Sequence, residues 1–397
     1  MYHFTDIQLR VVRAISLQSD SVKLLKNTRL IVLEHILPTT EEFLKILRAA
    51  GCEIFAVVAK PYSIDRSVLG RLKENGLNVI EKSYQELEDT DILDRLISDA
   101  NKQSKKDGKL IAILDVGGYF AKFLSHLTDE TKGHIVGVVE DTTFGHNRYV
   151  KLVKDNKIIL PISSVARSEL KKIEARFVGR DAVQSMDMLL RKLGISITGR
   201  NALVIGYGML GRNVARSLRN YDLNVYVYDV EDRQLLRAFI DGFHIHKKGM
   251  LLRHADIIFS ATGSEAIFGR PAMKYEEIED CKHGVILASV GSKDTEFDIA
   301  SLEKNAVRKE ALSEYLMKYS LPNSKYVIVA NKGTAVNFIL PSLPVEILDI
   351  VFSEILQALL ELLSGNLHSG IVNESELEPL NNISKAWLRI VNMEAQA

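Results

Sequence analysis

The sequence predicts an α/β protein of two domains, the second inserted into the first. Three observations predict it. Short apolar runs alternate with amphipathic helical stretches along nearly the whole chain, the pattern of parallel sheets covered by helices. Near the middle, Asn201-Ala-Leu-Val-Ile-Gly-Tyr-Gly-Met-Leu-Gly reads as a buried strand, a tight glycine turn and a helix opening near Met209. From Val336 the chain is again apolar and helical, and is expected to pack back on the first domain. The expected divisions are residues 1–194, 195–335 and 336–397.

Residues 1 to about 27 predict one or two amphipathic helices. Leu30 to Leu33 is a strand. Pro38-Thr-Thr-Glu-Glu opens a helix, with Thr39 or Thr40 as cap and acids in the first turn; Gly51 closes it. Ile54 to Ala59 is the next strand, Ser67 to Asn75 a short helix ending at Gly76, and Val79-Ile80 a short strand. Asp91 to Asn101 is helical and Lys102 to Gly108 a charged turn. Leu110 to Leu114 and Ile135 to Val139 are buried strands, ending at Asp115-Val-Gly-Gly and Glu140-Asp-Thr-Thr. Parallel sheets take ligands at the carboxyl ends of their strands, where His35, Asp115 and residues Glu140 to Thr143 fall. Polar loops follow strands in any protein, so the shared address marks a site better than any single residue.

Two helices, Ser164 to Phe177 and Asp181 to Leu193, lead to the second domain. Its strands are expected at 202–205, 223–228, 256–260, 285–289 and 326–330. The final segment, Glu374 to Ala397 around Trp387, predicts an amphipathic helix docked locally or on a partner subunit.

Gly206, Gly208 and Gly211 form G-x-G-x-x-G between a strand and a helix. The first glycine permits the sharp turn, the second lets backbone approach a pyrophosphate, and the third lets the helix pack on the strand. A phosphate would rest on the free N–H groups at the helix start, around Met209 and Leu210. Asp229, at the end of the next strand, stands where a ribose 2′-hydroxyl is held, which favours NAD over NADP; Arg233 lies nearby. Ala261-Thr262-Gly263 and Val290-Gly291 follow later strands, and small residues there let a flat cofactor approach the backbone. The competing reading is an ordinary strand–turn–helix unit.

Lys plus Arg and Asp plus Glu both number 51, which argues against a general nucleic-acid or anionic-membrane partner. The two cysteines, Cys52 and Cys281, form no C-x-x-C and suit a reducing cytosol. No signal peptide and no run of about 18 apolar residues is apparent, so a cytoplasmic protein is expected. No histidine has metal-ligand spacing with a second acid or cysteine, so no zinc site is predicted. His244 and His246 alternate in a short strand with one wet face, and His146 falls in a turn.

These residues resemble the S-adenosyl-L-homocysteine hydrolase family. The likeness rests on the glycine motif with Asp229, Ala261-Thr-Gly, Val290-Gly, Asp294-Thr-Glu-Phe-Asp298, Glu140-Asp-Thr-Thr-Phe-Gly-His-Asn, Arg180-Asp181 and Val336-Asn337. The resemblance implies a split substrate domain around an NAD domain, a homo-oligomer, and tightly held NAD. It also implies a chemistry: the ribose 3′-hydroxyl is oxidised, the 4′-proton becomes acidic, homocysteine leaves, water adds, and the ketone is reduced. The same resemblance brings Thr142, Thr143 and Asn337 into the cofactor set.

Carried over one position at a time, the family's catalytic pattern is only partly present. His35 matches a family histidine, Asp115 the first acid of D-D-G-G, and Asp141 the second glutamate of E-E-T-T-T. The second acid of D-D-G-G is Val116. The motif K-S-K-F-D-N falls on Leu170 to Ala175, so its lysine becomes Leu170 and its aspartate Glu174; a slip of one residue would restore a lysine, Lys171. The histidine of G-H-F-D is Ser292 and that of G-H-P is Leu343. Losing one proton-transfer group typically costs about 10²–10⁴ in rate. The expectation is therefore an NAD-binding relative that binds an adenosine-like small molecule without standard hydrolysis. The competing expectations are an NAD enzyme with altered chemistry on a nucleoside or polyol, and a dehydrogenase of a hydroxy or amino acid.

Overall fold

The computed structural model describes residues 8–129, 132–291, 293–340, 343–372 and 380–395. It divides into two compact units, residues 1–171 with 344–397, and residues 172–343. One unit interrupts the other, as expected. The crossings fall at 171/172 and 343/344, rather than at 194/195 and 335/336, because Glu169–Lys192 is one continuous helix instead of two. Gly179 does not break it. A Cβ there would lie 2.7 Å from the Cβ of Asn213 and 2.8 Å from backbone atoms of Asn213 and Val214, so this glycine serves close helix packing.

The first unit is built on parallel strands β1 (Thr28–Ile36), β2 (Glu53–Ile64), β3 (Val79–Glu81), β4 (Leu110–Asp115), β5 (Ile135–Glu140) and β6 (Pro161–Ser164). Their order in the sheet is β6-β5-β4-β1-β2-β3. The chain therefore leaves β1 in one direction and later resumes beside it as β4, which makes the carboxyl ends of β1 and β4 a topological switch point. Nearly every residue of β1 is buried, as a strand covered on both faces requires. The β1–β2 register shifts between Glu34↔Ala59 and Ile36↔Ile64. Lys60 to Ser63 are thus surplus against His35, and this bulge re-aims their side chains.

Three local expectations are corrected here. The helix Pro38–Ala49 starts on Pro38 itself, whose fixed φ suits a first helical position; Leu37 precedes it and neither threonine caps it. The helix Ile92–Asp107 absorbs the charged stretch and ends on Gly108 in the left-handed conformation, with Lys105 and Lys106 favourably placed in its last turn. His146 lies within the helix Thr143–Lys154 rather than in a turn.

The second unit carries β7 (Asn201–Ile205), β8 (Asn224–Tyr228), β9 (His244–Ile245), β10 (Ile257–Ser260), β11 (Ile286–Ser289), β12 (Arg308–Ser313), β13 (Leu316–Ser320) and β14 (Tyr326–Ala330). The sheet order is β12-β13-β14-β11-β10-β7-β8-β9. From β9 to β14 the strands are parallel and follow the dinucleotide-fold order. The antiparallel pair β12–β13 was not anticipated. Its burial is half-wet and charged, so it lacks the apolar run by which the other strands were read.

After the second unit the chain re-enters the first through the helix Val345–Ser364, whose side chains are mostly buried, and adds β15 (Gly370–Val372) in parallel beside β6. Asp349 on this helix is wholly buried and accepts the backbone N–H groups of Val11 (2.9 Å) and Val12 (3.1 Å). The chain's first described helix, Arg10–Ser16, is thereby tied to a helix 338 residues away. The helix Leu380–Ala395 docks locally: Trp387 packs on the first unit's core and its indole donates to the Glu346 carbonyl at 3.3 Å.

Candidate functional site

In the second unit each glycine of the turn does a different task. Gly206 has φ +90°, and a Cβ there would meet the Ala261 carbonyl oxygen at 2.7 Å. Gly211 would place a Cβ 1.8 Å from the Gly206 carbonyl oxygen, so the helix Met209–Arg219 is pressed against the turn. Gly208, by contrast, faces open space, with nothing within 4 Å of where its Cβ would be. A strand, a bare turn and an uncapped helix start form a cradle for a phosphate. Met209 and Leu210 open that helix and are half-buried.

Asp229 stands at the end of β8 beside this turn. It accepts the Tyr207 N–H at 2.6 Å through one oxygen and the Glu231 N–H at 2.9 Å through the other. Each oxygen keeps a second lone pair for a ribose hydroxyl. Thr262 and Gly263 are held differently from expectation. Their backbone N–H groups donate to Glu296 (3.0 and 2.7 Å), as do the hydroxyls of Ser260 (2.5 Å) and Thr262 (2.8 Å). Buried Glu296 therefore shapes the loop. Val290 is buried, Gly291 follows it with its N–H on the Ser289 hydroxyl, and Asn337 is buried in a short 3-10 turn. Ser292 lies outside the described residues.

In the first unit the strand ends converge. Asp115 is fully buried and saturated: it accepts from Tyr119 N (3.0 Å), Phe120 N (2.8 Å) and the Tyr149 hydroxyl (2.6 Å). Its role here is to hold the loop after β4, and burial nonetheless pushes its pKa up. Glu140 accepts from Gly117 N (3.1 Å), Thr142 N (2.6 Å) and the Thr142 hydroxyl (2.8 Å); burial and then Asp115 push it well above the usual carboxylate range. Thr142 caps the helix Thr143–Lys154 through Gly145 N, and Thr143 is exposed.

Asp141 meets Lys171, whose Nζ lies 2.8 Å from one carboxylate oxygen and 2.9 Å from the other. Leu170 turns into the apolar core. Lys171, rather than Leu170, therefore faces Asp141. Val116 is wholly buried among apolar side chains. His35 places Nδ1 on the Ser63 hydroxyl and its ring edge-on to Tyr62; burial, with Lys60 and Lys171 nearby, keeps its pKa well below the usual histidine value. Glu174 falls on the part of its helix that belongs to the second unit. Leu343 is partly buried.

The sequence reading missed Glu34 and Lys60. Glu34 is buried on β1, and burial followed by the Asp141 charge raises its pKa to about 8. Lys60 is fully buried on β2, and burial lowers its pKa to about 8 against the pull of Glu140, Glu34, Asp141 and Asp115. A signal existed: a lysine closing the apolar run Ala56-Val-Val-Ala at the end of a covered strand. Among the described residues no group of three His, Cys, Asp or Glu is placed to hold a metal, and no helix is long and apolar enough to cross a membrane.

The chain is similar in sequence to known proteins. A family model described as the S-adenosyl-L-homocysteine hydrolase NAD binding domain matches residues 177–341. An adenosylhomocysteinase of Thermoplasma volcanium is 28% identical over 327 residues, covering 82% of this chain and 76% of that one. An S-inosyl-L-homocysteine hydrolase of Methanopyrus kandleri is 29% identical over 328 residues, covering 82% and 73%. An adenosylhomocysteinase of Pyrobaculum aerophilum is 28% identical over 377 residues, covering 91% and 84%.

Proposed function

We propose that this chain is a divergent, NAD-binding member of the S-adenosyl-L-homocysteine hydrolase family, and that it binds a nucleoside-like small molecule without the family's standard hydrolysis, as a sensor or regulatory partner. The observation that carries the reading is Val116. Where the family resemblance calls for a second acid, a valine is wholly buried in an apolar core. A proton-transfer group cannot be recovered there by a rotamer change. Leu343, in place of a histidine, supports the same conclusion.

The turn at Gly206, Gly208 and Gly211, the helix start at Met209 and Leu210, and Asp229 would hold the cofactor. When bound, NAD supplies a hydride acceptor. What the chain itself supplies in the first unit is a set of hydrogen-bonding and charged groups: Asp141 with Lys171, Glu34 and His35. His35 stays neutral at physiological pH and so can accept a hydrogen bond through its unprotonated nitrogen. A homo-oligomer is part of the proposal, on the family's habit.

Lys171 supports a second reading, an enzyme of altered chemistry. A lysine held on Asp141 can orient and polarise a hydroxyl for oxidation or elimination on a nucleoside or polyol, even where the water-handling groups are gone. One experiment separates the two. Purified protein is analysed for copurifying NAD or NADH, then incubated with S-adenosylhomocysteine and with a nucleoside set, following homocysteine release and NADH absorbance. Homocysteine release at turnover rates removes the first reading. Flat absorbance across the set removes the second.

A further inference from the structure

The least explained group in the molecule is Lys60. It is 0% exposed, and its ammonium has no hydrogen-bond partner among the described residues. The ammonium lies 5.4 Å from the Tyr62 ring centroid, a cation–π contact that leaves its hydrogen-bond donors unfilled. A Cβ at Gly117 would come within 3.4 Å of the Lys60 Nζ, so the amine lies directly beneath the loop that follows β4. An ammonium shut away from water without an acceptor is costly to keep, and native structures explain such groups by water or a ligand.

Its surroundings say which kind of ligand. Asp115 and Glu140 already have three protein donors each, and Asp141 is gripped by Lys171. Glu34 accepts the His35 N–H through one oxygen. What remains is an amine with three hydrogens to give, beside carboxylates with lone pairs to spare. A hydroxyl answers both, accepting from the amine and donating to an acid. Lys171 is already matched by Asp141, which leaves Lys60 alone to face the charge of a phosphate or a free carboxylate, beside acids that repel it when ionised.

We infer that Lys60, brought to the switch point by the β2 bulge, is a ligand-contacting residue that donates to a hydroxyl oxygen of a neutral, polyhydroxylated ligand. This deepens the proposed function and rests on its reading of the first unit as the ligand-binding unit. The lowered pKa of Lys60 is consistent with it: burial disfavours the ammonium, and a bound oxygen would favour it.

The test uses the full chain loaded with NAD. Adenosine, inosine, adenosine monophosphate and D-ribose are titrated calorimetrically into wild type, Lys60→Met and Lys60→Gln. Expected are binding of at least one unphosphorylated probe, about 10- to 100-fold weaker binding by Lys60→Met, and partial recovery by Lys60→Gln, which restores a neutral donor. Retained NAD and an unchanged or raised melting temperature show that each variant is folded. Equal binding by wild type and Lys60→Met overturns the inference and leaves the nucleoside reading standing. Ribose binding lost in Lys60→Met, with no nucleoside bound by wild type, overturns the nucleoside reading alone. Preference for the monophosphate, or no binding of any probe, overturns the inference.

Discussion

Two glycines of one turn are expected to fail in opposite ways when each is replaced by alanine. At Gly211 the new methyl would lie 1.8 Å from the Gly206 carbonyl oxygen and 2.9 Å from its carbonyl carbon. Both are backbone atoms, so no side chain can swing aside; the helix Met209–Arg219 must move off the turn by more than 1 Å to reach an ordinary contact of about 3.3 Å. Overpacking of this kind costs about 1–3 kcal/mol. For a unit of this size that corresponds to roughly 2–12 °C in melting temperature, and displacing the helix start weakens NAD binding as well. At Gly208 the methyl meets no protein atom within 4 Å. Gly208→Ala should therefore melt within about 2 °C of wild type without cofactor, since no overpacking arises. It should nevertheless bind NAD more weakly, by about tenfold or more, because the methyl occupies the approach of the pyrophosphate. Thermal melts of cofactor-stripped protein and NAD titrations measure both. A Gly208→Ala variant that binds NAD as wild type does would refute the cradle, and a Gly211→Ala variant that melts unchanged would refute the packing argument.

Other consequences can be checked alongside. Glu296→Ala leaves two backbone N–H groups and two hydroxyls without their acceptor, so urea denaturation should show a loss of about 2–4 kcal/mol together with weaker NAD binding. Lys171→Met or Asp141→Asn alone strands a buried charge or polar group and should cost about 3–5 kcal/mol, whereas the double variant should recover much of it; strictly additive losses in the double variant would contradict the pairing. Glu34 has a folded pKa of about 8 against an ordinary value of 4.5. An acid raised in this way stabilises the fold fully below the unfolded pKa. That contribution is lost as pH rises toward 8, because the unfolded chain releases the proton first, at a slope of at most about 1.4 kcal/mol per pH unit. Wild type should thus lose stability relative to Glu34→Gln between about pH 5 and 8, and parallel profiles would show that Glu34 is ionised in the folded protein.

The glycine motif was legible because each of its constraints is local: a turn, a close approach and a helix start are written within six residues. The parallel strands were legible for a similar reason, since apolar runs bounded by polar loops need no knowledge of their neighbours. Asp115 was placed correctly at a strand end, yet its task was not readable, because the three donors that occupy it come from Tyr119, Phe120 and Tyr149. Lys171 and Leu170 differ by one position in sequence, and only the helix phase decides which enters the core. Glu34 and Lys60 sit on strands that looked wholly apolar in purpose; a fully buried charge becomes meaningful only when its neighbours across the sheet are known. The hairpin β12–β13 escaped because half-exposed edge strands carry too little apolar signal.

The clasp between Asp349 and the amides of Val11 and Val12 has a temporal consequence. A ribosome delivers residues up to 171 of the first unit long before the helix that closes them. The second unit is contiguous and can reach its native state as soon as it emerges, whereas the first must wait with an unsealed apolar flank until the helix Val345–Ser364 is made. A stall or truncation upstream of Asp349 would release a polypeptide with a finished second unit and an unfinished first one, the kind of species that chaperones and proteases intercept.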